Sequence, residues 1–248
     1  MKRIVLYMID DTIDEQAQQE LRAYCAAFFY GMDVELVRPG GTIKDILPNN
    51  KKGEKKKTPE DFLEKHEISF RNNKGQVQYE AAEINDALVH YKAKGTFCTL
   101  ALTNHDLWKG DWNFIVGQAN AENETGVFSF HRLDPNFDDG IDWGCPPELE
   151  RTFWLKRACR VMVHEISHMF GMKHCFYYEC TMNGANGPFE SIKVQNRTLC
   201  PVCLIKLQVN AKFDAQARYV KLHEVCTKLG FVEEAQSYAQ ILQGYKTG

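Results

Sequence analysis

The sequence predicts an α/β (α+β) fold, a sheet covered by helices, in a single globular domain; the alternation of elements predicts the fold class, and length and composition predict the domain. Short apolar runs of strand length alternate with segments whose apolar residues recur every three or four positions. The length of 248 residues is enough to bury one sizeable core. The composition, 44% hydrophobic and 25% charged, is ordinary for a globular protein. We therefore expect a single domain, with residues 1–172 as a sheet-and-helix part and residues 173–248 as a smaller C-terminal part.

Each predicted element follows from its local pattern. The predicted strands are Ile4 to Ile9, Val34 to Val37, Phe97 to Leu102, Phe114 to Val116 and Thr125 to His131. The predicted helices cover about Asp14 to Tyr30, Tyr79 to Tyr91, Glu148 or Thr152 to Phe170, 213 to 229 and 232 to 243. A further helix start is predicted at Thr58-Pro59, and Gly31 is expected to end the first helix. Residues 39–57, 134–148 and 171–210 are expected to be rich in loops and turns.

Charge and hydropathy exclude several classes of protein. The formal charge of −3 does not fit a nucleic-acid binder, and the one basic run, KKGEKKK from Lys51, is interpreted as a solvated loop or a contact for an acidic partner. No segment has the length of a membrane span. The first apolar run stops at Ile9, which is too short for a signal peptide. We expect a cytoplasmic protein with possible nuclear access, not secreted, in which the sequons at Asn123 and Asn196 are unused.

The segment HEISHMFGMKH, residues 164 to 174, carries the main chemical signal. His164 and His168 are four positions apart and therefore share one helix face. Gly171 allows the sharp turn that would return His174 to them. Three imidazoles with an open fourth position are typical of catalytic zinc, and Glu165 stands where a general base is needed. The alternative is a helix with three incidental histidines.

Four of the nine cysteines follow directly: Cys175, Cys180, Cys200 and Cys203 read C-x4-C, a long gap, then C-x2-C. Four thiolates at such spacings are typical of a closed, structural zinc site in a reducing compartment. The alternatives are two disulfides or four unrelated thiols. The other five cysteines are scattered, and most are interpreted as buried thiols.

This whole segment resembles the archaemetzincins, whose pattern joins HExxHxxGxxH to C-x4-C-x-M, then seventeen residues, then C-x-x-C. Every spacing is kept here, with Met182 at the methionine position. Similar stretches occur upstream: YCAAFFYG (24 to 31), DWNFIVGQAN (111 to 120) and GVFSFHRL (126 to 133). One departure is Ser167, where many metzincins have glycine, and we expect it to alter packing rather than metal binding.

The resemblance implies a compact zincin domain with a mixed twisted sheet, an active-site helix and a zinc-stapled C-terminal region. It implies two zinc ions: a catalytic one on His164, His168 and His174 with Glu165 as general base, and a structural one on the four cysteines. Met182 would be the Met-turn residue, and TGVFSFH would be the edge strand that pairs with the substrate. The expected partner is a peptide or protein substrate of a monomeric enzyme.

Two further interpretations remain open from the residues alone. One is a zinc-stabilised scaffold with a vestigial cleft, which would have no need of Glu165. The other is a cysteine zinc module for nucleic-acid or protein partners, but basic residues around the cysteines are few: Lys193, Arg197 and Lys206. The substrate, and whether cleavage is internal or at an amino terminus, do not follow from the sequence.

Overall fold

A five-stranded mixed sheet forms the centre of the fold, in a computed structural model that describes residues 3–10, 12–37, 60–137, 145–184 and 198–247. Its strands are β1 (Arg3–Met8), β2 (Asp33–Val37), β5 (Thr96–Thr103), β7 (Gly117–Asn120) and β8 (Thr125–Ser129), in the order β2-β1-β5-β8-β7. The first four strands in this order are parallel to one another, whereas β7 runs antiparallel to β8. Helix α1 (Glu15–Phe28) provides the crossover that parallel β1 and β2 require.

Side chains of the central strands point alternately into two core clusters. On β1, Ile4 and Leu6 belong to the larger cluster and Val5 and Tyr7 to the smaller one. This is why β1 is apolar at successive positions: both faces of the sheet are covered, as expected for parallel strands. The α/β fold class predicted from the sequence is confirmed.

The helices α1, α4 (Glu150–Met169), α5 (Pro201–Ala211), α6 (Ala215–Lys228) and α7 (Val232–Thr247) contribute to the larger cluster. Helices α2 (Glu60–Lys65) and α3 (Ala81–Leu88) contribute to the smaller one. Within the described residues, no helix is both long and apolar enough to cross a membrane.

A second, three-stranded sheet was not predicted. Its strands β3 (Phe70–Asn73), β4 (Gln76–Glu80) and β6 (Asp106–Trp108) have the order β3-β4-β6. Lys74 and Gly75 join β3 to β4 with φ values of +53° and +88°, as a type I′ hairpin turn requires. Both hairpin strands are short, and the alternation in β4 is misleading: the polar Gln78 is buried, whereas Val77 is 46% exposed.

The edge-strand prediction was wrong. TGVFSFH corresponds to β8, which is paired on both sides, so the edge of the sheet beside it is β7. Its alternation arises because Val127 and Phe128 point into the two different core clusters. Strand β7 also starts one residue after the predicted strand at Phe114 to Val116, where Ile115 makes only a single bridge to Leu107.

The C-terminal region is more helical than predicted. The segment 171 to 210 was expected to be loop, but α5 starts at Pro201, immediately after Cys200. The Cys200 Sγ caps this helix by accepting from the Cys203 N–H (3.4 Å). Helix α7 continues to Thr247 rather than 243. The KKGEKKK run, the helix start at Thr58 and the sequon at Asn196 lie outside the described residues.

Candidate active site

Helix α4 carries the first two histidines of the predicted site. His164 and His168 leave the same face of the helix, and their Nε2 atoms lie 3.0 Å apart. The helix ends just after them because Gly171 adopts φ +76°. The Gly171 N–H donates to the His168 carbonyl (2.8 Å) and the Met172 N–H to the Ser167 carbonyl (3.3 Å), which together form a Schellman cap.

The turn at Gly171 brings His174 back toward the helix. Its ring centroid lies 5.3 Å from that of His164 and 4.9 Å from that of His168. One nitrogen from each ring falls within 4.8 Å of the others. The three histidines therefore converge on one point, with His174 as the exposed member and the other two half-buried.

Backbone carbonyls determine which imidazole nitrogens are free. His164 Nδ1 bonds the Thr181 carbonyl (2.8 Å), and His168 Nδ1 bonds the Met172 carbonyl (2.7 Å). A carbonyl only accepts, so each Nδ1 must carry the hydrogen and each Nε2 presents a lone pair. Two lone pairs 3.0 Å apart repel each other unless a cation lies between them.

A zinc ion fits this donor set. Four-coordinate zinc with nitrogen ligands at 2.0–2.1 Å places neighbouring nitrogens about 3.3 Å apart, close to the observed spacing. Burial and the neighbouring His168 lower the pKa of His164 to about 4, and burial also lowers the pKa of His168. Both rings are thus neutral at neutral pH, which is the form that binds metals.

Glu165 lies beside these histidines and against the edge strand. It is only 8% exposed, and burial raises its pKa to about 8. A Cβ added to Gly117 of β7 would lie 2.9 Å from Cγ, Cδ and Oε1 of Glu165. The edge strand can approach the carboxyl group this closely because Gly117 has no side chain.

Ser167 stands where many metzincins have glycine. It is fully buried, and its hydroxyl donates to the Val163 carbonyl one turn earlier (2.6 Å). The hydroxyl is therefore satisfied by a hydrogen bond within the helix.

The four clustered cysteines form a second group of potential ligands. Their Sγ atoms all lie within 4.8 Å of one another, and Cys175 Sγ is 3.9 Å from Cys200 Sγ. A disulfide needs about 2.05 Å, whereas tetrahedral zinc with Zn–S of about 2.3 Å places its sulfurs about 3.8 Å apart. All nine cysteines are free thiols, and four of the five scattered ones are buried, with Cys145 partly exposed. The cysteine group therefore suits a metal rather than disulfides.

Hydrogen bonds and desolvation shift the pKa values of three of these thiols in different directions. Desolvation acts to raise the pKa of Cys175, but the backbone N–H groups of Tyr177 and Tyr178 lower it on balance. Desolvation raises the pKa of Cys180 and of Cys203. A divalent cation would favour all four thiolates, since metal binding requires deprotonation.

One short segment, Thr181 to Gly184, connects the two groups of ligands. The Thr181 carbonyl accepts from His164, and the carbonyl of the fully buried Met182 accepts from the Cys175 N–H (2.7 Å). A Cβ added to Gly184 would lie 2.7 Å from His174 Nδ1. The segment therefore contacts both groups through its backbone.

Sequence reasoning missed three contributors to this site: Gly117, Thr181 and Gly184. Each acts through its backbone or through a missing side chain, so no residue-type pattern could identify it. Only the upstream stretch DWNFIVGQAN, which includes Gly117, pointed to this region, and it did so by resemblance alone.

Comparisons with known proteins identify the family of this chain. Residues 46–209 match the sequence model of peptidase family M54. Archaemetzincin-2 of Homo sapiens is 31% identical over 231 residues, covering 85% of this chain and 58% of that protein. Archaemetzincin of Pyrococcus horikoshii is 32% identical over 111 residues, covering 45% of this chain and 55% of that protein. The chain thus spans less than two thirds of the length of these relatives.

Two solved structures share the fold. The crystal structure of archaemetzincin from Methanopyrus kandleri superposes with a TM-score of 0.58 at 21% identity, covering 86% of this chain and 96% of that one. A zinc-dependent peptidase from Methanocorpusculum labreanum gives 0.56 at 17% identity, covering 82% and 99%. Because the family model matches more than half of its residues, this chain belongs to peptidase family M54, the archaemetzincins, as the resemblance in its sequence predicted.

Proposed function

We propose that this chain is a zinc-dependent peptidase whose catalytic zinc is held by His164, His168 and His174. The observation that carries the proposal is the convergence of three imidazoles next to a buried carboxyl group, Glu165, within one short segment. A purely structural metal site would be closed by four protein ligands, whereas the part of the chain that the structure describes supplies three to this group. Membership of family M54 supports the same conclusion.

Zinc, when bound, supplies Lewis acidity, which polarises a peptide carbonyl and lowers the pKa of water from 15.7 to about 7. The nearby positive charge of a bound zinc would lower the burial-raised pKa of Glu165 and favour its carboxylate form. That carboxylate would accept the proton from the attacking water, and the resulting carboxylic acid would donate it to the leaving amine. The Thr181 and Met172 carbonyls keep the hydrogens of His164 and His168 on Nδ1, so that each Nε2 keeps the lone pair that would bind zinc.

The substrate is proposed to lie along β7. This strand is the open edge of the main sheet, and its Gly117 contacts the Glu165 carboxyl. An extended peptide could pair with backbone groups along β7 and so place its carbonyl near the base, although the Gln118 carbonyl of this strand already accepts from the Asn85 amide (3.2 Å). This assignment replaces the sequence-based choice of β8, whose backbone is already paired on both sides.

The cysteine group is proposed to hold a second, structural zinc that preorganises the catalytic one. Four sulfur ligands leave no open position, so this site has no catalytic role. Cys175 follows His174 directly, and segment 181–184 contacts both groups. The larger core cluster contains Met182 and Leu207 together with β1 residues, which supports a single domain. In this proposal Met182 is the buried Met-turn residue.

The decisive experiment compares the wild type with Glu165→Ala on a peptide library read by mass spectrometry. The variant should keep its zinc, because the carboxylate is not a ligand, and lose about 10²–10⁴-fold in turnover. Glu122→Ala, at an exposed acid, is the matched control and should cleave like the wild type. Chelation should abolish cleavage, and added zinc should restore it. Full turnover by Glu165→Ala would falsify the assignment of the base, and a zinc-loaded wild type that cleaves nothing would favour a scaffold.

A further inference from the structure

Three consecutive aromatic residues are exposed in the loop between Cys175 and Cys180. The exposed fractions are 83% for Phe176, 91% for Tyr177 and 53% for Tyr178. Large apolar groups seldom face water together without a binding role, because their exposure forgoes the hydrophobic free energy of burial.

Hydrogen bonds from the side chain of Asn183 hold the backbone of this loop in place. The Asn183 amide donates to the carbonyls of Cys175 and Tyr178, and its Oδ1 accepts from the Cys180 N–H (2.9 Å). One side chain thereby ties together both ends and the middle of the loop. The aromatic residues are thus presented on a preorganised support, which reduces the entropy lost on binding.

One of these aromatic residues, Phe176, lies next to the proposed catalytic site. The ring of Phe176 stands nearly perpendicular to the ring of His174, with centroids 6.5 Å apart. His174 is the exposed member of the histidine group, so the solvent-facing side of that group is continuous with Phe176. A peptide whose carbonyl reaches the metal from this side would place a neighbouring side chain against the aromatic ring.

We propose that Phe176, together with the exposed Tyr177 that follows it in the loop, forms an apolar subsite that binds one large apolar side chain of the substrate beside the scissile bond. The proposal rests on the proposed peptidase function and names its substrate class: peptides with a residue such as Leu or Phe adjacent to the cleaved bond. The Cys175–Cys180 loop thus serves two purposes, since its ends supply thiolates and its middle supplies specificity.

The test uses zinc-loaded protein and pairs of peptides that differ only by Leu or Ala at one position near the cleaved bond. The wild type should prefer Leu by about tenfold or more in kcat/KM, since even one methylene in an apolar site can contribute tenfold. Phe176→Ala combined with Tyr177→Ala should reduce this preference to near onefold, whereas Phe176→Leu should keep most of it. Phe70→Ala removes a similarly exposed ring, at 70%, from β3 and should change nothing.

A second measurement separates this proposal from the proposed function. Binding of the same peptide pairs to zinc-loaded Glu165→Gln, followed by fluorescence anisotropy, requires no turnover. Loss of the Leu preference in binding by the double alanine variant supports the subsite even if no cleavage is detected. An unchanged preference in that variant, with its zinc content intact, overturns the subsite even if the enzyme is active. A change of oligomeric state on removing the two rings, with preference unchanged, would instead assign the surface to self-association.

Discussion

Replacing Gly117 by alanine tests the link between the edge strand and the general base. The new Cβ would lie 2.9 Å from three atoms of Glu165, and ordinary contact begins near 3.4 Å. One of the three is Cγ, so the carboxyl group cannot escape by rotating its terminal torsion alone. Either Glu165 or β7 must therefore move by about 0.5 Å or more, which is already the tolerance of a preorganised catalytic group.

This displacement sets the expected size of the effect. A misplacement of about 1 Å can cost 10²-fold in rate. A shift of about 0.5–1 Å should therefore lower kcat by about 10- to 100-fold, which raises the activation free energy by about 1.4–2.7 kcal/mol. Overpacking of a buried site should also lower the free energy of unfolding by about 1–3 kcal/mol. Zinc content should stay unchanged, because the three atoms nearest to the new Cβ all belong to Glu165, which is not a ligand in this proposal.

The assay combines kcat and KM for a cleaved peptide, zinc content by mass spectrometry and thermal unfolding. Gly244→Ala is the control, since nothing lies within 4 Å of a Cβ at that position of α7 and alanine favours a helix. If Gly117→Ala keeps the wild-type kcat while the control behaves as expected, the carboxyl group does not need its present position, and the role given to the close approach is wrong.

Three further predictions concern the metals and the helix that holds them. Gly184→Ala should raise the Kd for zinc at the histidine group by about 10- to 100-fold, because its Cβ would meet His174 Nδ1 at 2.7 Å. Competition with a chromogenic chelator measures this Kd, and an unchanged value would contradict the prediction. The wild type should bind two zinc ions per chain. The double variant Cys200→Ser, Cys203→Ser should lose the zinc at the cysteines and bind the zinc at the histidines more weakly. Unchanged zinc affinity at the histidines in a folded variant would refute the coupling between the two sites. Ser167→Gly should lower the free energy of unfolding by about 0.5–1 kcal/mol without altering zinc affinity, as followed by denaturant unfolding, and a lost metal would show that this residue matters for more than packing.

The general outline of the fold was predictable because strand and helix periods are visible along the chain. The apolar run at Ile4 and the three-to-four spacing in α1 and α4 identified buried strands and amphipathic helices. The β3–β4 hairpin was not predictable in the same way, because its polar strands are fixed by a turn at Lys74-Gly75 and by pairing to the distant β6. Helix α5 was not predicted because residues 171–210 were expected to be rich in loops and turns, whereas Pro201 at the first helical position, after the Cys200 cap, starts a helix there.

The sequence by itself determined the candidate ligands, since His164 to His174 lie on one helix and its capping turn, where the 3.6-residue period and a left-handed glycine dictate the local geometry. Only the tertiary structure decided what surrounds them: β7 rather than β8 is the open edge, Gly117 touches Glu165, and Thr181 orients His164. The physical reason is the distance along the chain between the residues that interact. Helix geometry is set by neighbouring residues, whereas these contacts join segments far apart in the chain, whose approach depends on how the sheet and helices pack as a whole.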